Sequence, residues 1–157
     1  MPLIFVSYRR EDSAAAAGRI CDRLQRSYGK KSVFFDIGSI PIADDFTAKI
    51  STAVARADAL LAIVGPRWAG SGPDGKPRID ETGDFVRREI ESALATRVPV
   101  IPVLVAGAAM PDPAGIPESL RPFCGHNAAR VDDTIDFDQQ MRRLVRRIDQ
   151  ILHEKSR

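Results

Sequence analysis

With 157 residues, 44% hydrophobic and 28% charged, the chain has the length to bury one proper core and a composition ordinary for a globular protein. Its 23 basic residues nearly balance 21 acidic ones, and the formal charge of +2 is too even to indicate nucleic-acid binding. Two cysteines, Cys21 and Cys124, lie outside any CxxC pattern, and no apolar run approaches the roughly 20 residues of a membrane span. The expectation is a cytoplasmic protein without nucleic-acid or membrane partners, residues 1–157 forming a single domain, either whole or one module of a longer chain.

Residues 3–7, Leu3-Ile4-Phe5-Val6-Ser7, are a short apolar run, and charge follows at once in Tyr8-Arg9-Arg10-Glu11-Asp12. That is the pattern of a buried first strand and not of a signal peptide. Residues 13–28 have helical spacing, with Ala16, Ile20, Leu24 and Tyr28 on one face, Asp12 or Ser13 as cap and Gly29 as stop. Residues 32–36 form a second strand. The loop that follows, 37–45, is unusually apolar for an exposed turn, with Ile37, Ile40, Pro41 and Ile42 ahead of Asp44 and Asp45. A second helix fits residues 46–55, where Phe46, Ile50 and Val54 repeat every fourth position, and residues 58–65 make a third strand.

Residues 66–84 form a long connection holding four glycines and three prolines. Loops of that length inside a domain are functional or disordered as a rule. Gly70-Ser71-Gly72-Pro73-Asp74-Gly75 within it is literally GxGxxG. As a dinucleotide fingerprint it fails, because that motif runs straight into a helix and Pro73, Lys76 and Pro77 prevent one here.

A short helix opens at Phe85-Val86-Arg87-Arg88-Glu89-Ile90, with Asp84 placed to cap it. At about 100° per residue, Val86, Ile90, Ala93 and Leu94 form an apolar stripe. Glu89 falls on the border of the stripe, one turn after Phe85, while Arg87, Arg88 and Glu91 point further outward. A carboxylate there is either a plain solvated helix glutamate or a partly desolvated acid facing a cleft. Residues 100–105 supply a fourth strand. Residues 106–122 are again rich in glycine and proline, with one helical turn at 118–121, and residues 128–131 suit a short edge strand. The last helix carries the stripe Phe137, Met141, Leu144, Val145, Ile148 and Leu152, and Arg142, Arg143, Arg146 and Arg147 make its solvated face.

Strand and helix thus alternate about five times, which calls for a parallel sheet with helices on both faces and right-handed crossovers. Ligands of such sheets bind beyond the carboxyl ends of the strands. Here those ends are Ser7-Tyr8-Arg9-Arg10, residues 36–45, Gly65 onward and Ala106 onward, and the Glu89 helix begins after the third.

Three separated segments resemble the Toll/interleukin-1 receptor (TIR) family, particularly its bacterial members. Phe5-Val6-Ser7-Tyr8-Arg9-Arg10-Glu11-Asp12 resembles box 1. Val33-Phe34-Phe35-Asp36-Ile37, continuing to Asp45-Phe46, resembles box 2 and the BB loop behind it. Phe85 to Ile90 resembles the Trp-x-x-x-Glu segment of members that cleave NAD, with Phe85 where the family often has Trp; the C-terminal box 3 is not recognisable. The resemblance implies a flavodoxin-like three-layer α/β sandwich around a parallel sheet of about five strands. It implies an enzyme that takes NAD as substrate, needs no cofactor or metal, and releases nicotinamide with ADP-ribose or a cyclic isomer, in bacterial antiphage defence or virulence signalling. By the same carry-over Glu89 is the essential carboxylate. Tyr8, Arg9 and Arg10 line the entrance, toward the phosphates or the adenine side, and Asp36, Phe46 and Phe85 border the nicotinamide pocket. Ile37, Ile40, Pro41, Ile42, Asp44 and Asp45 form an interface for other TIR domains, through which self-association activates the enzyme.

The residues allow that chemistry. Glycoside hydrolysis ordinarily uses two carboxylates, one to protonate a poor leaving group. Nicotinamide leaves a positively charged glycoside as a neutral base, so one carboxylate suffices to stabilise the ribosyl cation. Phe46, Phe85 or Tyr8 can stack on a ring, and the arginines at 9 and 10 suit a pyrophosphate. Plainer roles exist for each: Arg9 as the partner of an acid such as Asp36, and Asp36 as a turn cap. His126 and His153 are isolated, and Trp68 is a packing anchor. The competing function is a non-catalytic module that binds TIR domains through its BB loop. A phospho-receiver domain fits poorly, since it wants paired acids where Ser7-Tyr8-Arg9 stands.

Overall fold

The structure, a computed structural model, describes residues 1–35 and 46–156, apart from the side chains of Phe46 and Thr47. Its five strands are β1 (Ile4–Ser7), β2 (Val33–Phe34), β3 (Ala59–Val64), β4 (Val100–Leu104) and β5 (Ala129–Arg130). All neighbours run parallel, in the order β2-β1-β3-β4-β5. Between them run α1 (Arg10–Tyr28), α2 (Phe46–Ala55) and α3 (Phe85–Ala95), and α4 (Phe137–Lys155) follows β5. This is the expected flavodoxin-like sandwich, whose strand order switches direction between β1 and β3.

Side chains of a strand alternate between faces, and the two cores follow that alternation. Ile4 and Val6 of β1, Leu61 and Ile63 of β3, and Ile101 and Val103 of β4 pack under α1 and α4. Phe5, Leu60, Ala62, Val64, Val100 and Leu104 pack on the opposite face, under α2, α3 and the 3-10 segment Glu118–Gly125. Every residue of β3 is buried, as a central strand covered on both faces requires.

Most element boundaries fall within two residues of expectation. Among the described residues β2 pairs with β1 through Ile4 with Val33 and Phe5 with Phe34; of the expected 32–36, Ser32 and Phe35 fall outside the strand and Asp36 lies outside the described residues. The first helix begins earlier, at Arg10, and is kinked at Ser13, whose φ of −141° is not helical. The expected cap at Asp12 or Ser13 therefore marks a real break, one turn inside the helix. The α4 stripe is as read, with Met141, Leu144 and Ile148 fully buried. No helix among the described residues is long and apolar enough to cross a membrane.

Candidate active site

Ser7 ends β1 two residues after Phe5, so it projects from the same face of the sheet, toward α3. On α3, Val86, Ile90 and Ala93 hold the helix against that face. Glu89 is one residue short of Ile90 and belongs to the buried stripe itself, with 7% of its surface exposed. The two meet: Ser7 Oγ donates to Glu89 Oε1 at 2.8 Å. Burial pushes the Glu89 carboxyl up to about 8, opposed by the Ser7 hydrogen bond, raised further by the Asp84 charge and lowered by Arg9. A solvated helix glutamate is excluded by this placement.

Asp84 does two jobs at the start of α3. Its Oδ2 accepts from the Arg87 backbone N–H at 3.2 Å, which is the expected N-cap. Both oxygens also hold the Arg9 guanidinium, Oδ1 at 2.9 Å and Oδ2 at 2.8 Å, in a two-pronged pair. Arg9 Nε donates in addition to the Trp68 carbonyl at 2.6 Å. Only 4% of Arg9 is exposed. Arg9 lines the cleft as expected, with its guanidinium engaged inside the protein. Its guanidinium lies under the loop 66–84, tied to the Asp84 carboxylate and the Trp68 carbonyl, while Asp36, the acid considered from the sequence, lies outside the described residues.

The loop 66–84 is built on that pair. Trp68 is buried and stacks on Phe123, centroids 5.7 Å apart, the packing anchor expected of it. Gly70 adopts φ +74°, and a Cβ there would come within 2.9 Å of Arg9 Nε, so a glycine lets the backbone lie directly on the guanidinium. The GxGxxG stretch closes on itself, Gly72 N–H bonding to the Lys76 carbonyl at 2.7 Å and Gly75 N–H to the Gly72 carbonyl at 3.1 Å, and a 3-10 turn, Arg78–Asp80, follows it in place of an α-helix. Arg87 clasps the far end by donating to the Asp80 carbonyl at 2.9 Å.

These elements enclose a cleft of about 230 Å³ lined by Val6, Tyr8, Arg9, Arg10, Glu11, Arg78, Asp84, Phe85, Val86 and Glu89. Five of the expected site residues, Tyr8, Arg9, Arg10, Phe85 and Glu89, therefore share one cavity at the carboxyl end of β1. Phe85 is partly exposed and Tyr8 half-buried, two aromatic surfaces beside a buried acid. Asp36 and the loop residues Ile37, Ile40, Pro41, Ile42, Asp44 and Asp45 lie outside the described residues, as does the side chain of Phe46. Sequence reasoning missed Ser7 as the partner of Glu89, Asp84 as the partner of Arg9, and the lining by Arg78 and Glu11, which pair at 3.3 Å. The signal for Ser7 was present: strand alternation puts it on the face of Phe5.

Gly65 lets the rim close. A Cβ on it would lie 2.3 Å from Asp12 Oδ2, and the other Asp12 oxygen accepts from Arg67 N–H at 2.8 Å. Gly65→Ala is expected to push that carboxylate aside and cost about 1 kcal/mol, the worth of one hydrogen bond. A urea unfolding curve superimposable on wild type would refute this account of the turn.

Comparison with known proteins agrees with this fold. Among solved structures, the chain is similar to the TIR domains of the activated Roq1 resistosome directly recognising the pathogen effector XopQ. The TM-score is 0.62 at 11% identity, covering 94% of this chain and 99% of that one. It is also similar to a metazoan TIR-STING receptor from C. gigas in complex with 2′,3′-cGAMP, with a TM-score of 0.57 at 16% identity. That match covers 88% of this chain and 38% of the receptor. At such identities the likeness is one of fold. No curated protein matches. The family model described as TIR domain matches residues 4–152, nearly the whole chain, and the chain therefore belongs to the TIR domain family.

Proposed function

We propose that this TIR domain is an NAD glycohydrolase or cyclase. The observation that carries the reading is Glu89, a carboxyl group buried in the wall of a cleft, beside Ser7 and between aromatic and cationic side chains. Acids placed this way are unusual outside functional sites, because burial without a paired cation costs free energy. In the ionised form Glu89 stabilises the positive charge that grows on the ribose as the C1′–N bond breaks. The bonding electron pair leaves with the nicotinamide nitrogen, which needs no proton. Water captures the ribosyl cation to give ADP-ribose, or a nucleophile of the same molecule captures it to give a cyclic isomer. Phe85 and Tyr8 offer faces for a ring, and Arg10 and Arg78 bring positive charge to the rim where the pyrophosphate would pass.

At about 230 Å³ the cleft falls below the ~300–1,000 Å³ of ligand pockets in general, and suits the nicotinamide riboside end of the molecule. A neighbouring copy completing the pocket fits that size, and with it activation by self-association through the loop at 37–45. The setting that accompanies this reading is cytoplasmic signalling in bacterial defence or virulence. Purified protein incubated with NAD is expected to release nicotinamide, measured by chromatography, and more so when concentrated or crowded. No release under any of those conditions would replace the enzyme with a TIR–TIR interaction module.

A further inference from the structure

Glu89 faces a cleft whose lining carries both signs of charge. Facing its cleft are Ser7 from β1, Tyr8, Arg9, Arg10 and Glu11 from the turn into α1, Arg78 from the loop, and Asp84 from α3. Among the described residues, its hydrogen-bond partner is the neutral Ser7 hydroxyl. The cation and the anion that act on it through space are Arg9 and Asp84, and these are locked to each other at 2.8 and 2.9 Å, with the third Arg9 donor held by Trp68 O at 2.6 Å. The pair offers Glu89 a plus and a minus together, so among the described residues the carboxyl is buried with a hydrogen bond but no cation paired to it alone.

We propose that Asp84 is a specificity-determining residue: by closing Arg9 into a neutral pair it leaves Glu89 without a counter-ion until a cationic ligand arrives, so the site selects the pyridinium form of a nicotinamide glycoside over the neutral dihydropyridine form. The inference rests on the NAD reading above and adds a residue and a discrimination to it. Had Arg9 been paired with Glu89, the acid would already be ionised and neutralised, and a pyridinium would gain little by entering. With Arg9 tied to Asp84, burial holds the free carboxyl near 8, so at pH 7 only about a tenth is ionised. A pyridinium in the cleft favours the carboxylate and drives the proton off to solvent; a dihydropyridine does not. Binding of the right charge form thus switches on the anion that the reaction needs. Ser7 works in the same direction as the ligand, because its O–H supports the anion, while Asp84 opposes it.

Two substitutions therefore have opposite signs. Asparagine at 84 still caps α3 but removes the negative charge, so Asp84→Asn lowers the Glu89 midpoint by about 1 to 3 pH units. Ser7→Ala removes the donor and raises it. Both are read on the ligand-free full chain by the carboxyl resonance of ¹³C-labelled glutamate across pH; unchanged midpoints, or shifts of the same sign, overturn the proposal. The discrimination is measured by calorimetry at pH 7 with a carbocyclic NAD analogue, which keeps the pyridinium and cannot be cleaved, and with its reduced form. Wild type is expected to take the oxidised form about tenfold tighter or more. It releases close to one proton, seen as a heat that varies with buffer ionisation enthalpy, and Asp84→Asn reduces both effects. Equal affinity for the two forms, none for either included, overturns it. NAD cleavage is scored apart: cleavage without proton release leaves the enzyme and removes this role of Asp84, and proton release without cleavage does the reverse.

Discussion

Glu89→Gln is expected to lower nicotinamide release about 10²- to 10³-fold, the loss typical of removing one preorganised electrostatic group, and to leave the domain folded. Glutamine has the shape of the protonated acid and can accept from Ser7 Oγ through its carbonyl, so the 2.8 Å contact has a replacement. What it lacks is the negative charge opposite the ribosyl cation. Activity within threefold of wild type would remove Glu89 from the chemistry. The pH dependence follows from the same group. The free protein carries its proton up to about pH 8, and the active form is the carboxylate, so kcat/KM rises with pH through 8 and levels off above it. A profile that is flat or falls between pH 6 and 8 would contradict it.

Stability responds with the opposite sign. The Glu89 carboxyl ionises near its ordinary 4.5 in the unfolded chain and near 8 in the folded one. Between those values the native state holds a proton that the unfolded state has lost, so stability falls as pH rises, by up to about 1.4 kcal/mol per pH unit. It is fully present below 4.5 and lost above 8. Glu89→Gln has no such group, and its stability curve is expected to be flatter across that window. The variant that is catalytically dead at pH 8 is then the more stable protein, which is the mark of an acid held at a functional site against its own solvation.

How much of this could be read in advance depends on the distance between partners in the sequence. Apolar alternation and helical periods are local, and they placed all four helices, the buried strands and the carboxyl-end rim on which Tyr8, Arg9, Arg10, Phe85 and Glu89 gather. The Asp84 cap is local too. The two pairs that define the site are not: Ser7 and Glu89 are 82 residues apart, Arg9 and Asp84 are 75 apart. No periodicity links them. The helical wheel put Glu89 at the border of its stripe because it counts only the residues of α3. The fold adds β1 across from it, and Ser7 closes the gap. Arg9 was read as a phosphate contact because an arginine at a crevice mouth suits one; the loop 66–84, whose path the sequence does not reveal, covers it.

Arg9→Met separates these two roles of the arginine and is expected to cost about 3–5 kcal/mol, the usual consequence of removing one partner of a buried ion pair. Methionine keeps the apolar stem and leaves Asp84, which is 9% exposed, as an uncompensated anion, and Trp68 O without its 2.6 Å donor. For a domain of this size the loss corresponds to about 6–20 °C in Tm. Combining Arg9→Met with Asp84→Asn removes the stranded charge while asparagine still caps Arg87 N–H, so the double variant is expected to regain at least about 1 kcal/mol over Arg9→Met alone. Urea unfolding of the two single variants and the double variant gives the coupling directly. An arginine that bound a phosphate would behave differently: its loss would raise KM in an otherwise stable protein, and the double variant would recover nothing. A buried pair is felt in the melting curve first. It reaches the chemistry through Glu89, whose carboxyl the charges of Arg9 and Asp84 act on through space.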